Sequence, residues 1–400
     1  MAAQLHSQDL LALNGTQRRK LRRLLVDAWR NVPMYQALYE SLGLTERDLA
    51  DPRILTRLPI LSKAQLVATS LDDRIDRRFD VSRLTLESTT GSTGQPFSLY
   101  IDSRYRRLRN LRFLQGLLSA GYRPWHRMLL LTDRHPGLSR RYNRYYQSVE
   151  RPSGEILDAY VKVRPQVLYG FTTPLRMLAE NVLKSPEALP LPCLVVSTAE
   201  MLDPATRQIM EDAFCCPVFD FYGMTEMGLV AWQRPGVHGY IMSRNAVVTE
   251  LLPGDSSDGR YKMVMTNLDL RASPIIRFDS GDLAYADYMG GALRVIAFEG
   301  RSIDTIIRTD GTELSPYRIT DALRDVRGVR RFKVTQRRLD GLAIDLEVDP
   351  SLRRQAVNEV RSILSELLGG DVNLSFGFTD NLVPDGTRKF RPVESKLLRT

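Results

Sequence analysis

Apolar residues recur along the chain at spacings that change from region to region. In TQRRKLRRLLVDAWRN (16–31), Leu21, Leu24, Leu25 and Trp29 form one helical stripe, and Asn31-Val32-Pro33 ends it. The pattern predicts a basic amphipathic helix packed on the main domain. MYQALYESLG predicts a second helix, and LSKAQLVAT, beyond a proline-punctuated loop, a third, so the segment at about 1–75 reads as a helical cap. Further on, the continuous apolar runs RMLLLTD (127–133), CLVVSTAE (193–200) and PVFDFYG (217–223) predict buried strands. PLRMLAENVLK (174–184) and DPATRQIMEDAF (203–214) between them predict amphipathic helices. Strands separated by single helices imply crossover connections and a largely parallel sheet. From about 240 to 300, short strands and turn residues predict hairpins. A Gly- and Asp-punctuated junction, EGRSIDTIIRTDGTELSP (299–316), precedes a helix (317–326), strands at FKVTQRR and GLAIDLEV, a helix (351–368), a strand at VNLSFGF and a polar tail. The predicted fold is α/β. It has a large N-terminal domain (1–300) with mixed, mainly parallel sheets, and a small α+β C-terminal domain (301–400).

With 43% hydrophobic and 26% charged residues, the 400-residue chain is neither disordered nor fibrous, and it is too long for one core. Cys193, Cys215 and Cys216 match neither a disulfide framework nor a zinc spacing and suit a reducing cytosol. Without a secretory pattern or a run of about 18 apolar residues, a cytoplasmic protein with no membrane partner is expected. The net charge of +9 raises the question of nucleic acid, but the arginines are scattered over 17–23, 103–110, 139–144 and 324–338. Solvated helix faces that help to bind an anionic small molecule or an acidic carrier protein are the expectation, with no nucleic-acid partner.

Three segments carry chemistry. Ser88-Thr89-Thr90-Gly91-Ser92-Thr93-Gly94-Gln95-Pro96 offers glycines for close backbone approach and hydroxyls and N–H groups for phosphate oxygens. A flexible linker has the same composition. Phe221-Tyr222-Gly223-Met224-Thr225-Glu226 lies at the exit of a buried strand, where open parallel sheets place ligands. There an aromatic ring can stack on a purine, a hydroxyl can meet phosphate and a carboxylate can hold magnesium; core Tyr222 and helix-start Glu226 are the plain alternative. Ile276-Arg277-Phe278-Asp279-Ser280-Gly281-Asp282, followed by Gly300-Arg301, offers a carboxylate for ribose hydroxyls and a cation beside it, or else a turn with a surface ion pair.

Taken in order, STTGSTGQP, STAE, FYGMTE, IRFDSGDL, GRSIDTIIRTDG and GTRKFR resemble the adenylate-forming acyl/aryl ligase superfamily, in its short branch of phenylacetate-CoA ligases and capsule-biosynthesis adenylating proteins. The motifs span 88–391, and NVPMYQALYESLG is similar to the same branch. The resemblance implies that Thr90, Gly91, Ser92, Thr93 and Gly94 wrap the β- and γ-phosphates of ATP and that Ala199 and Glu200 line the adenine slot. By the same carry-over Tyr222, between Phe221 and Gly223, stacks on adenine, Thr225 touches the α-phosphate and Glu226 ligates Mg2+. Asp282 grips the ribose with Arg301 beside it, Asp304 is the hinge of a mobile small domain, Gly311 belongs to the loop that admits a pantetheine thiol, and Lys389 is the catalytic lysine. Tyr169, Gly170, Phe171, Ser197 and Met224 are the implied acid pocket.

Two positions depart from the family pattern. Phe97 stands after Pro96 where many relatives carry Lys, leaving phosphate binding to hydroxyls and backbone, and Ile303 precedes Asp304 where many have a second Asp. The implied function is ATP-dependent activation of a small carboxylic acid, aromatic or otherwise compact and apolar, as an acyl adenylate, then transfer to the thiol of CoA or of carrier-protein phosphopantetheine. An amine acceptor and a non-catalytic adenylate-binding homologue are the alternatives. The oligomeric state is not readable from the sequence.

Overall fold

The computed structural model describes residues 13–88, 97–133, 138–185, 189–253, 260–289, 292–301, 305–369, 372–383 and 389–397. It divides into two compact units, each built from two stretches of chain: 1–119 with 222–297, and 120–221 with 298–400.

The first unit begins with helices α1 (Gly15–Asn31), α2 (Pro33–Ser41), α3 (Glu46–Leu49) and α4 (Lys63–Ala68). Asn14 starts α1 with a capping box, its side chain accepting from the N–H groups of Thr16 and Gln17, and Leu21, Leu24, Leu25 and Ala28 form the buried stripe. A hairpin follows, β1 (Thr85–Ser88) against β2 (Ser98–Ile101), with Ser88 opposite Ser98, and then α5 (Ser103–Ala120).

The chain then enters the second unit through β3 (Met128–Thr132), β4 (Ser139–Arg141), β5 (Arg144–Ser148), α6 (Ser153–Val163), β6 (Val167–Phe171), α7 (Thr172–Lys184), β7 (Leu194–Thr198), α8 (Pro204–Phe214) and β8 (Val218–Met224). Within this unit the strand order is β8-β7-β6-β3-β5-β4, parallel except at β4–β5. Leu129, Leu168, Val195, Leu175, Leu178 and Phe214 belong to its buried core.

Beyond Phe221 the chain returns to the first unit as β9 (Gly228–Trp232), β10 (Ile241–Met242), β11 (Val247–Pro253), β12 (Arg260–Asn267), β13 (Phe278–Met289) and the first part of β14 (Ala292–Arg301), up to Ala297. The last four form a sheet in that order, the hairpin texture expected there. The N-terminal segment is tied into this sheet: Leu61 exchanges backbone hydrogen bonds with Arg277 and Asp279, and Tyr35 Oη donates to the Pro274 carbonyl and accepts from Ile276 N–H. Arg277 of the IRFDSGDL motif is buried, pairs with Glu250 and donates to the Thr56 and Leu58 carbonyls, so its role is to fasten the segment between α3 and α4.

The remaining elements belong to the second unit: β15 (Ile306–Ile307), β16 (Glu313–Leu314), α9 (Pro316–Leu323), β17 (Val329–Arg338), β18 (Gly341–Val348), α10 (Arg353–Leu368), β19 (Asn373–Phe378) and β20 (Val393–Ser395). The mixed sheet β19-β18-β17-β20 packs with both helices around a core of its own, including Ile319, Val334, Ile344, Val360 and Leu364. The α+β texture of the C-terminal segment is therefore as expected. Arg331 pairs with Glu180 of α7 and Glu347 of β18, and Arg176 donates to the Arg330 carbonyl.

Candidate active site

Three parallel strands end side by side in the second unit: Gly170 pairs with Ser197, Phe171 with Thr198, and Thr198 with Phe221. This carboxyl edge is where open parallel sheets carry ligands. The sequence packs it tightly. A Cβ on Gly170 would lie 2.8 Å from Leu131 Cβ, so only glycine fits beside β3. Ser197 is fully buried, its hydroxyl 2.7 Å from that of Thr172, and Thr198 Oγ1 donates to the Phe221 carbonyl at 2.7 Å. Tyr169, Gly170 and Phe171 are thus a strand leading into α7. Ala199, next after β7, takes a left-handed φ of 69°, a costly conformation for a residue with a Cβ, and directs the chain to Glu200.

Glu200 is the hub of this edge. Its carboxylate accepts from Thr173 N–H at 3.0 Å, Thr173 Oγ1 at 2.5 Å and Phe390 N–H at 2.9 Å, and Phe390 N–H also reaches Thr173 Oγ1 at 3.0 Å. Burial pushes the Glu200 carboxyl up from the usual range, while these hydrogen bonds and nearby Lys389 pull it down. Lys389 Nζ lies 5.3 Å from the centroid of the Phe171 ring, within cation–π range. The C-terminal lysine motif, the STAE motif and the end of β6 therefore meet within one unit. Sequence reading did not single out Thr173, which nothing in its local pattern marks, or Phe390, although it stands beside Lys389 inside the GTRKFR motif.

The first unit carries the other half of the motif set. Tyr222 Oη donates to Asp282 Oδ2 at 2.5 Å, joining two motifs 60 residues apart. Burial and the Asp282 carboxylate hold the phenol well above its ordinary value, so it stays a donor. Gly223 has no room for a side chain, since a Cβ would meet the Gly228 carbonyl at 2.7 Å. Met224 ends β8, and Thr225 and Glu226 form the turn into β9, with the Glu226 side chain buried. Asn267 braces that turn from behind, donating to the Glu226 carbonyl at 2.9 Å and to Tyr105 Oη at 2.8 Å. Asn267 and Tyr105 were not among the expected site residues.

Gly311 lies in the second unit, in an exposed turn between β15 and β16, with φ 82° and its N–H on the Arg308 carbonyl. Arg301 closes β14. Thr90, Gly91, Ser92, Thr93, Gly94 and Asp304 lie outside the described residues; the phosphate segment joins the paired strands β1 and β2.

No family model matches the chain. Protein CapK of Staphylococcus aureus is 20% identical over 393 residues, covering 90% of this chain and 85% of that protein. Phenylacetate-coenzyme A ligase of Thermus thermophilus is 24% identical over 390 residues, covering 88% and 84%. Among solved structures, 2-hydroxyisobutyryl-CoA ligase, in its postadenylation state with an acyl-AMP, superposes with a TM-score of 0.78 at 18% identity, covering 95% of this chain and 89% of that one. The chain has the fold of the adenylate-forming ligases. The resemblance read from the ordered motifs is borne out, as is the α/β class with its largely parallel sheet. No described helix is long and apolar enough to cross a membrane.

Proposed function

We propose that this adenylate-forming ligase is an AMP-forming acid–CoA ligase. A carboxylate oxygen attacks the α-phosphorus of ATP, pyrophosphate leaves, and the acyl group then passes from the adenylate to the thiol of CoA with release of AMP. The observation that chiefly supports this reading is the seating of Lys389 over Phe171, with the next residue bound to Glu200. A carboxylate approaching a triphosphate meets strong repulsion, and a cation brought to that point stabilises the charge that moves onto pyrophosphate.

The remaining roles follow the motif assignments. Hydroxyl and backbone groups of Thr90, Gly91, Ser92, Thr93 and Gly94 donate to the β- and γ-phosphates, Ala199 and Glu200 border the adenine, and Tyr222 stacks on it beside Phe221 and Gly223. Asp282 accepts from the ribose hydroxyls with Arg301 beside it, and Thr225 donates to the α-phosphate. Glu226 would hold Mg2+. The ion's remaining ligands would be phosphate oxygens and water. When bound, that ion neutralises triphosphate charge. Rotation of the C-terminal domain (301–400) about Asp304 would withdraw Lys389 and present the loop at Gly311 to the adenylate, so one site serves both half-reactions.

A small aromatic or compact apolar acid is the favoured substrate, bordered by Tyr169, Gly170, Phe171, Ser197 and Met224. Incubating the protein with ATP, Mg2+ and a panel of acids, then adding CoA, a phosphopantetheinylated carrier protein or an amine separately, tests the reading by mass spectrometry. Acyl-AMP that converts to acyl-CoA supports it. Conversion only with the carrier or the amine reassigns the acceptor, and AMP binding without any acyl-AMP makes the chain a non-catalytic homologue.

A further inference from the structure

A second concentration of charge lies in the first unit, in a cavity of about 360 Å3 between α1, the Asp76–Arg78 segment and the stretch that follows β12. Five cationic side chains line it, Arg19, Lys20, Arg23, Arg78 and Arg271, against two carboxylates, Asp27 and Asp76. Arg78 uses both carboxylates, at 3.1 and 2.5 Å, and Arg23 reaches only Asp27, at 3.5 Å. Lys20 and Arg112 share the buried Asp269. Arg271 is half-buried, opposed by the like charges of Arg104 and Arg23 and supported only at longer range by the carboxylates of Asp27 and Asp102. Positive charge therefore exceeds negative around the cavity. Burial first, and after it the fields of Arg112, Arg104 and Arg271, bring the Lys20 ammonium down to about 8 although Asp269 is 2.9 Å away.

Arg19, Arg23 and Arg78 are exposed while Lys20 and Arg271 are half-buried, so the excess positive charge on this concave surface attracts an anion from solvent. None of the lining residues belongs to the motifs assigned to ATP, the acid or the thiol. We propose that this cavity binds a small molecule carrying a phosphate dianion, whose oxygens the guanidinium groups of Arg23 and Arg271 clasp from opposite walls. The concave shape favours a small anion over an acidic protein surface, and the volume falls in the range of small-ligand sites.

Thermal unfolding with inorganic phosphate titrated against chloride at constant ionic strength tests this in wild type and in Arg23→Ala/Arg271→Ala. Both residues sit at the surface or half-buried and fasten no core, so the variant is expected to unfold cooperatively in chloride. The expected result is a saturable rise of Tm with phosphate in wild type, and an apparent affinity about tenfold or more weaker in the variant. Arg19→Ala provides a second, milder arm with a smaller loss. An equal phosphate response in wild type and double variant, or no wild-type response beyond that to chloride, overturns the proposal. Retention on an acidic protein or on heparin without any effect of phosphate overturns it as well.

Discussion

Glu200→Gln loosens the seating of the lysine while keeping the shape of the side chain. The wild-type carboxylate accepts three hydrogen bonds, one oxygen taking Thr173 N–H and the other taking Thr173 Oγ1 and Phe390 N–H. A glutamine keeps the shape but replaces one oxygen by an NH2 group, and whichever way the amide turns, one backbone N–H faces a donor instead of an acceptor. A hydrogen bond to a charged acceptor contributes roughly 1.5–3 kcal/mol. The lower end applies, because Phe390 N–H retains Thr173 Oγ1 at 3.0 Å as a second acceptor. About 1.4 kcal/mol corresponds to a factor of ten, so the equilibrium constant for seating Lys389 should fall about tenfold and the adenylation rate by up to that factor. The assay is acid-dependent pyrophosphate exchange at saturating ATP, run beside thioester formation from synthetic acyl adenylate and CoA. Exchange should slow while thioester formation holds. Equal loss in both half-reactions, or loss in neither, would refute the reasoning.

Other perturbations have distinct expected outcomes. Asp282→Ala should raise the ATP concentration for half-maximal exchange by about tenfold or more, with Tyr222→Phe, which keeps the ring but loses the 2.5 Å bond, giving a smaller rise in the same titration. Gly170→Ala forces a methyl group to within 2.8 Å of Leu131 Cβ and should cost roughly 1–3 kcal/mol of stability, read from the urea midpoint. The depressed pKa of Lys20 has a defined sign. Between about 8 and the ordinary 10.5 the unfolded chain binds the proton and the folded chain does not, so the Lys20 contribution to stability rises with pH across that window. Urea midpoints of Lys20→Met should lack this component, and an unchanged pH slope would contradict the charge arrangement around Asp269.

The elements legible in the sequence are those whose burial is continuous. The runs at β3, β7 and β8 are apolar because both faces of a parallel sheet are covered, and α7 and α8 show clean stripes because one face is covered. The helix α5 escapes that reading. Its face is built partly from arginines neutralised at a distance, Arg109 by Glu87 and Arg112 by Asp269, so the apolar period is blurred. Strand β6 is hidden by Gly170, which reads as a loop residue until Leu131 is placed beside it. Helix α6 ends on Arg164 in a left-handed conformation, without the glycine that normally marks such a stop. At the site, individual motif residues are visible as residue types, whereas the seating of Phe390 on Glu200 depends on a contact across 190 residues. Thr173 and Asn267 act through such contacts and leave no local trace.

The central claim, that the chain activates a carboxylic acid at a site completed by Lys389, is tested most directly by exchange of labelled pyrophosphate into ATP across a panel of aryl and short acyl acids, in wild type and in Lys389→Ala. The account predicts exchange for one class of acid and its loss in the variant, with ATP binding retained. Exchange at equal rates in both proteins, or none with any acid while ATP binds, would contradict it.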